Sequence, residues 1–313
     1  MFGVAPAISL FGVLGNIFSI VVLARQGLRR CSNILLVSLA FCDITFLVSF
    51  NGVPKIIYEA VWNHEYVGYS LLETDILFVA FSAFMFLDYS FGLMGLTLPM
   101  LITVERLVVI FFPLNFRRII TPARTWAAVA GLALYWISIF LYSSFWQEIR
   151  YEFDTTKNVS IGIIRKSAFF EQHLDVVAAF EDLLIYTSMI IPPVFTVVGC
   201  VVISVKIKMT SLKRQKMTTK LKTGSRTTRT LLAVCAVYCV TAAVVSLPLY
   251  IPQYASYSLT DESPSNIGKI FYQLVNTVGC INSSSNFVVY VALNKNFRAT
   301  YVEIFRCRKK QKK

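Results

Sequence analysis

The chain has 313 residues, of which 56% are hydrophobic and 15% are charged, and its formal net charge is +13. A soluble domain of this size carries roughly 25% charged residues, and single soluble cores stop growing near this length, so the composition excludes an ordinary soluble protein. The apolar residues fall into long runs of about the ~20 residues that cross a bilayer. In chain order the runs cover residues 4–24, 33–53, 77–112, 127–146, 179–205, 231–252 and 268–293.

These runs predict an all-α fold, a bundle of seven transmembrane helices. Each run is expected to be helical because the lipid interior cannot hydrate free backbone groups. The third run is too long for one perpendicular span and predicts a tilted helix that continues beyond the lipid. The ten-residue alternation typical of outer-membrane barrels is missing from the sequence.

The basic residues predict how the chain sits in the membrane. Of 30 Lys and Arg, 24 follow the first, third and fifth runs or lie in the C-terminal tail. This positive-inside asymmetry places the N-terminus outside and the tail in the cytosol. The outward segments hold 13 acids against six bases, so the outer face is net negative. Because the charge follows the membrane topology, contact with anionic lipid is expected and nucleic acid is not.

Several polar groups and prolines stand at membrane depth, where they are functional candidates by default. In chain order they are Gly15-Asn16, Asn33, Ser38 to Ala40, Asp43, Glu105-Arg106-Leu107, Pro113-Leu114, Trp136, Pro192-Pro193, Pro248 and Asn286 to Tyr290. Together, in this order, they resemble the rhodopsin-like family of G-protein-coupled receptors over nearly the whole chain. The stretch from Ile119 to Arg124 also resembles invertebrate chemosensory and peptide-receptor-like branches. The resemblance implies a receptor domain over 1–294 that binds an extracellular small molecule or peptide and activates heterotrimeric G proteins, with arrestin as a further partner.

The resemblance implies which residues carry activation. Glu105, Arg106, Pro248, Asn286 and Tyr290 match the family's coupling positions, with the arginine freed on activation and Pro248 bending the sixth helix. The alternative for Glu105 and Arg106 is a bland surface ion pair. The chain also departs from the family pattern in four places. The inner end of the sixth helix has no acid, and Cys200 or Val201 stands where the family has a tyrosine in helix five. Ser246 stands in place of a tryptophan and Phe287 in place of a proline.

A second implied constellation surrounds Asp43, which in hydrocarbon must be neutral, paired or hydrated. The family's matching aspartate contacts polar groups of helices one and seven and often a sodium ion. Those groups fall on Asn16, Asn282, Ser283 and Asn286. The usual helix-three serine falls on Gly95, which puts sodium binding in question, and the alternative for Asp43 is packing by hydrogen bonds alone.

On the outer side, Asp88 matches the aspartate that holds the ligand's cation in amine receptors. It lies 18 residues before Arg106, five helical turns, and therefore on the same helix face. The resemblance implies a cationic ligand with Ser246 and Tyr250 as further binding candidates, while the long outer segment 147–178 suits a peptide. A structural role for Asp88 is the alternative. The outer loops contain no cysteine, and Phe81 stands where the family's helix-three cysteine is usual, so an outer disulfide is not expected.

The C-terminal segment 295–313 predicts a short amphipathic helix on the inner membrane surface followed by a basic tail. Cys307 just beyond the apolar face is a candidate for palmitoylation, with a free thiol as the alternative. Asn158 begins an Asn-Val-Ser glycosylation pattern in an outer loop.

Other function classes find little in the sequence. The two histidines, His64 and His173, are isolated and lack metal-ligand spacing, so neither an enzyme nor a cofactor is expected. The best rival is a transporter or channel in which Asp43 and Asp88 line a polar path. Transporters usually show internal repeats with interrupted helices, and the sequence shows none.

Overall fold

The computed structural model describes residues 4–52, 71–155, 159–215, 226–247 and 266–310, and within them the chain is mainly helical. The long helices are α1 Val4–Arg25, α2 Cys31–Phe50, α3 Leu71–Phe111, α4 Pro122–Ser143, α5 (Leu174–Leu184, Ile185–Ile190 and Ile191–Gln215), α6 Arg226–Val245, α7 Asn266–Leu293 and α8 Lys295–Lys310. The predicted helical bundle is confirmed. Three predicted site residues, Asn158, Pro248 and Tyr250, lie outside the described residues.

Five of these helices are long and apolar enough to cross a membrane, and Ala233–Val245 in α6 is a shorter apolar helix. The α7 helix is long, with 28 residues, but its sequence is interrupted by asparagines and serines, of which Ser283, Ser284 and Asn286 are buried. We call the end of the bundle that carries Arg106 and the basic loops the inner end, and the opposite end the outer end.

Helices α1 and α7 approach closely because glycines line α1 where they meet. A Cβ added at Gly15 would lie 2.9 Å from Phe287 Cβ, and one added at Gly12 would lie 2.9 Å from Ser284 Cβ, both on α7. Small residues allow this kind of backbone approach in membrane bundles, where the lipid removes the hydrophobic drive between helices. The central core includes Trp136, whose indole N–H donates to Thr97 Oγ1 at 3.1 Å.

Helix α5 changes its winding just before its two prolines. Residues Ile185–Ile190 form a π-helical turn, and the α-helical segment resumes at Ile191, next to Pro192 and Pro193. A proline lacks the N–H of a regular helical bond, and π turns commonly stand at functional sites. Helix α3 contains Pro99, and the Thr103 hydroxyl donates to the Pro99 carbonyl at 2.8 Å.

The outer segment after α4 differs from the loop expected from the sequence. It contains a 3₁₀ turn, Ser144–Trp146, and an antiparallel hairpin of β1 Gln147–Asp154 and β2 Val159–Lys166, with Tyr151 opposite Gly162. The segment does alternate apolar and polar residues through Ile149, Tyr151 and Phe153, a two-residue period typical of strands. That signal spans only a few residues beside seven much longer apolar runs.

Candidate functional site

A closed polar cluster stands at the inner end of α3. Arg106 Nη2 donates to Ser32 Oγ on α2 at 2.6 Å, and the Ser32 hydroxyl donates to Glu105 Oε1 at 2.9 Å. Arg106 Nε lies 3.0 Å from Glu105 Oε2, an ion-pair contact whose angle is not that of a hydrogen bond. The Arg106 and Glu105 side chains are 10% and 3% exposed. The guanidinium is therefore held inside the bundle by its neighbour and by α2, and it is not a bland surface pair.

The second cluster joins α2 to α7 in the middle of the bundle. Asn286 Nδ2 donates to Asp43 Oδ2 at 2.7 Å, and Ser283, one helical turn earlier on α7, is also buried. Asn16 reaches the cluster through the main chain, since its Nδ2 donates to the Ser283 carbonyl at 2.8 Å. Asn282 is half-buried, and its carbonyl accepts from Ser285 at 2.8 Å.

The helix-three face of this cluster is open at Gly95. A Cβ added there would lie 3.9 Å from Asp43 Oδ1 and 3.8 Å from Cys42 Cβ, both ordinary contact distances. The position where a serine hydroxyl would complete a sodium site is therefore adjacent to the carboxylate and has room for that side chain. Within the described ranges, no group of three or more His, Cys, Asp or Glu is arranged to hold a metal ion.

The end of α7 is packed against α8 by aromatic rings. Tyr290 and Phe297 are 2% and 0% exposed, with their ring centroids 5.5 Å apart. Phe287, at the family's proline position, lies 6.2 Å from the Phe297 ring and 5.8 Å from the Tyr301 ring. The chain turns between the helices at Asn294, whose side chain accepts from the Phe297 N–H at 3.1 Å. Residue 307, the predicted lipidation site, lies within the backbone of α8.

The loop after α3 presents an apolar side chain at the inner surface. Leu114 is 96% exposed, and it precedes the short helix Phe116–Ile119. Arg124 stabilises this loop by donating to the carbonyls of Arg118 at 3.0 Å and Ile119 at 2.9 Å. The exposed leucine therefore stands on a loop that is ordered by hydrogen bonds.

The chain matches the family described as serpentine type 7TM GPCR chemoreceptor Srw over residues 3–308, nearly its whole length. The chain belongs to that family. It is therefore a G-protein-coupled receptor, a multi-pass protein of the plasma membrane with an extracellular ligand and a G-protein partner. The family is a class of receptors and not of enzymes, and the match decides between the receptor and transporter interpretations.

Named relatives agree with this assignment. A probable G-protein coupled receptor of Caenorhabditis elegans is 24% identical over 311 residues, which are 97% of this chain and 69% of the relative. An FMRFamide receptor of Drosophila melanogaster is 24% identical over 315 residues, 95% of this chain and 52% of that protein. A putative G-protein coupled receptor of C. elegans is 32% identical over 124 residues, 37% of this chain and 26% of the relative. The receptor thus spans about half the length of the Drosophila relative.

On the ligand side of the receptor, the predicted candidates lie in different settings. Asp88 is buried within α3, with 6% of the residue exposed. The Ser246 hydroxyl donates to the Ala242 carbonyl at 2.7 Å and lies 3.4 Å from the Met189 carbonyl in the π turn of α5. Ser246 is therefore engaged by backbone acceptors and links α6 to the irregular part of α5.

The receptor holds its outer hairpin with aromatic contacts. Trp146 lies 4.7 Å from Phe180 and 5.9 Å from Phe170, measured between ring centroids. The Ser167 N–H donates to the Trp146 carbonyl at 2.8 Å, which closes the base of the hairpin, and Lys166 Nζ lies 4.8 Å from the Phe170 ring centroid. The six cysteines whose side chains the structure describes are free thiols.

The middle of strand β1 also contacts α3. The Tyr151 hydroxyl donates to the Asp75 carboxylate, and this bond raises the pKa of Tyr151 above its ordinary value.

Two parts of the site were missed by sequence reasoning. Ser32 carries no motif, and its role depends on α2 packing beside α3. Trp146 and its aromatic neighbours come from separate segments, although the density of aromatic residues around 140–180 was a usable signal.

Proposed function

We propose that this receptor binds a cationic extracellular ligand, an amine or a basic peptide, at its outer end and couples to a heterotrimeric G protein at its inner end. In this proposal the N-terminus is extracellular and the C-terminus cytoplasmic. The observation that carries it is the buried cluster of Ser32, Glu105 and Arg106, beside basic loops and a fully exposed Leu114.

The cluster suits a resting state in which the arginine is withheld from a partner. An arginine that is paired and shielded inside the bundle cannot also bind an external carboxylate or carbonyl group, so coupling requires these contacts to break. Residues 206–230 contain no acid that could replace Glu105 as its partner. Leu114 offers an apolar contact on the same surface, and exposed apolar groups with polar surroundings are typical of protein interfaces. Pro248, Asn286 and Tyr290 are proposed to carry the movement between the two ends.

The test of coupling is Arg106→Ala, measured as second-messenger output at matched surface density. We expect output to be abolished because the proposed partner contact is lost. The control is Arg25→Ala, which removes an exposed arginine from the end of α1. Normal output from Arg106→Ala would refute the proposed role of the cluster.

The cationic ligand class rests on Asp88. It is buried in α3 on the face that leads inward to Arg106, and the outer segments are net negative by about seven charges. An opposite charge in a poorly hydrated site interacts far more strongly than in water, so a ligand cation would be held there. A basic peptide also agrees with the name of the Drosophila relative, an FMRFamide receptor. Tyr250 and Ser246 are proposed as neighbouring contacts.

The test of ligand class is Asp88→Asn, read as agonist potency and surface expression. We expect potency to fall at least ~10-fold, equivalent to ~1.4 kcal/mol, with expression maintained. A neutral or anionic agonist whose potency is unchanged in this variant would refute the ligand class and leave the coupling proposal standing.

The remaining assignments are part of the same proposal. Residues 1–294 form the receptor domain, and 295–313 form an amphipathic helix and a basic tail that anchors to lipid. Asn158 is the proposed glycosylation site and Cys307 the proposed lipidation site, and arrestin is a proposed partner. Asp43, Asn16, Asn282, Ser283 and Asn286 are proposed to link ligand binding to the inner end.

A further inference from the structure

Helix α3 contains a proline in its interior, between the residues proposed for ligand binding and for coupling. Pro99 has no N–H, so the Gly95 carbonyl four residues earlier loses its regular helical donor. Proline and glycine are also the two residues least favourable inside a helix. The segment 95–99 is centred on residue 97, which lies nine positions after Asp88 and nine before Arg106, or ~13.5 Å from each along the helix.

Close packing does not require the glycine at position 95. The nearest atoms of α2 would lie 3.8 and 3.9 Å from a Cβ added there, both ordinary contact distances. At Gly92, one turn outward, an added Cβ would lie 3.0 Å from the Phe46 ring of α2, so that glycine does serve a close approach. Gly95 therefore adds backbone freedom beside Pro99 at a point where the α2–α3 contact has room for an alanine.

The part of α3 on the outer side of Pro99 is held by α2 and α4. Thr97 Oγ1 accepts from the Trp136 indole N–H at 3.1 Å and donates to the Met94 carbonyl at 3.0 Å. Trp136 is 1% exposed, and Gly92 brings α2 close one turn farther out. Hydroxyl groups that bond back to the preceding turn tend to bend a helix. The outer part is therefore fixed to its neighbours, and its last turn favours a bend.

The part of α3 on the inner side of Pro99 is held by α5 and α6. A Cβ added at Gly199 of α5 would overlap the Thr103 methyl group, so the two helices are in close contact there. Cys235 Sγ of α6 lies 3.8 Å from Thr103 Oγ1, and the Thr103 hydroxyl donates to the Pro99 carbonyl at 2.8 Å. The segment 95–99 thus separates a part of α3 that packs on α2 and α4 from a part that packs on α5 and α6.

We propose that residues 95–99 are a hinge in α3, and that bending at this hinge withdraws Arg106 from Ser32 when the receptor activates. This inference rests on the proposed function, because it assumes that Arg106 leaves its cluster on coupling. The inner part of α3 follows α5 and α6, while the outer part stays with α2 and α4. Hinges of this kind are a few residues that absorb a change in φ and ψ.

A small bend is enough to open the cluster. Over the ~13.5 Å from residue 97 to Arg106, a bend of ~10°, half of a sharp proline kink, displaces the helix by ~2.3 Å. The bond from Arg106 to Ser32 is 2.6 Å long, and hydrogen bonds weaken beyond about 3.2 Å. The bend therefore breaks the contact with α2. Glu105 is the next residue of the same helix, so it moves with Arg106 and keeps the ion pair.

The direct test of the hinge is hydrogen–deuterium exchange of the purified full-length receptor, which requires no ligand. We expect the amides of residues 96–103, corrected for intrinsic rates, to exchange at least ~10-fold faster than those of residues 82–90 in the same helix. Pro99→Ala restores a donor for the Gly95 carbonyl and should slow exchange in 96–103 at least ~10-fold. Equal exchange in the two segments of the wild type, or no slowing in Pro99→Ala, would overturn the hinge.

The matched control for both experiments is Val104→Ala. Val104 is 37% exposed on α3, and shortening its side chain leaves the backbone bonds of the helix unchanged. We expect exchange in 96–103 to stay at the wild-type rate in this variant. Slowing as large as that in Pro99→Ala would show that the rate does not report on the proline, and would also overturn the hinge.

The test of the hinge in coupling is agonist-free second-messenger output at equal surface density, in a Ser32→Ala background that lacks the contact with α2. Adding Pro99→Ala should lower this output at least ~5-fold, because a stiffer α3 keeps Arg106 inside the bundle, while adding Val104→Ala should leave it unchanged. Undiminished output from a Pro99→Ala receptor whose exchange has slowed would overturn the role of the hinge in activation. A receptor that is silent in every variant would count against the proposed function, and the exchange measurement would still decide the hinge.

Discussion

Replacing Ser32 with alanine should raise the basal activity of the receptor. The Ser32 hydroxyl accepts from Arg106 at 2.6 Å and donates to Glu105 at 2.9 Å, so the substitution removes both bonds from the resting cluster. Hydrogen bonds to charged groups contribute about 1.5–3 kcal/mol each. The Glu105–Arg106 pair remains and recovers part of this loss, so we expect the resting state to lose roughly 1–3 kcal/mol relative to the active state, a shift of about 5–150-fold. A basal active fraction near ~1% would then rise to between ~5% and ~60%.

The assay is agonist-free second-messenger output, normalised to surface density measured by an epitope label on intact cells. Ser32→Thr is the matched control because it keeps the hydroxyl, and we expect its basal output to stay near wild type. A double variant, Ser32→Ala with Arg106→Ala, should be silent because the released arginine is the proposed effector. Unchanged or lower basal output in Ser32→Ala at equal surface density would refute the reasoning.

Three further predictions follow from the rest of the bundle. Gly95→Ser should introduce a sodium dependence, seen as weaker agonist potency in sodium than in choline buffer, because the new hydroxyl would stand beside Asp43. Gly95→Ala should show no such dependence, and equal behaviour of the two variants would count against the placement of residue 95 beside Asp43. Mild dithiothreitol should leave ligand response intact, whereas Trp146→Ala should cost about 3–5 kcal/mol of packing and lower both surface expression and response, with the 65% exposed Phe145→Ala as control. Tyr238→Phe should leave the melting temperature of the purified receptor unchanged or raise it, since in the described part of the chain its buried hydroxyl has no hydrogen-bond partner to lose, and a clear fall would contradict that placement.

The departures from the family pattern show how far sequence reasoning reached. The absence of an acid in residues 206–230 was visible as a departure from the family pattern, but the sequence had no means of naming Ser32 as a partner of Arg106. The loss of the helix-seven proline was visible at Phe287, while its consequence was not. The Phe287 ring packs edge-to-face against Phe297 and Tyr301 of α8 and fills the space beside Gly15, and α7 continues as a helix through that point.

The outer end shows the same division. The absence of cysteines from the outer loops could be read directly from the sequence. The weak alternation of apolar and polar residues around Tyr151 was overlooked beside much stronger helical signals. The aromatic packing of the outer segment depends on Trp146, Phe170 and Phe180, which lie in three separate segments. Ser246 was predicted to face a ligand, and in the fold its hydroxyl is engaged by carbonyls of α6 and α5.

The sequence by itself determined that the chain crosses a membrane as a helical bundle and that it belongs among G-protein-coupled receptors. It could do so because the length of an apolar run, the bias of basic residues and the order of intramembrane polar groups are local properties set by the lipid. Tertiary structure alone decided that Ser32 holds Arg106, that Asn16 reaches Ser283 through the main chain, and that Cys235 lies against Thr103. Each of these contacts joins residues that are distant in sequence, and the packing angle and rotation of two helices determine whether their side chains meet.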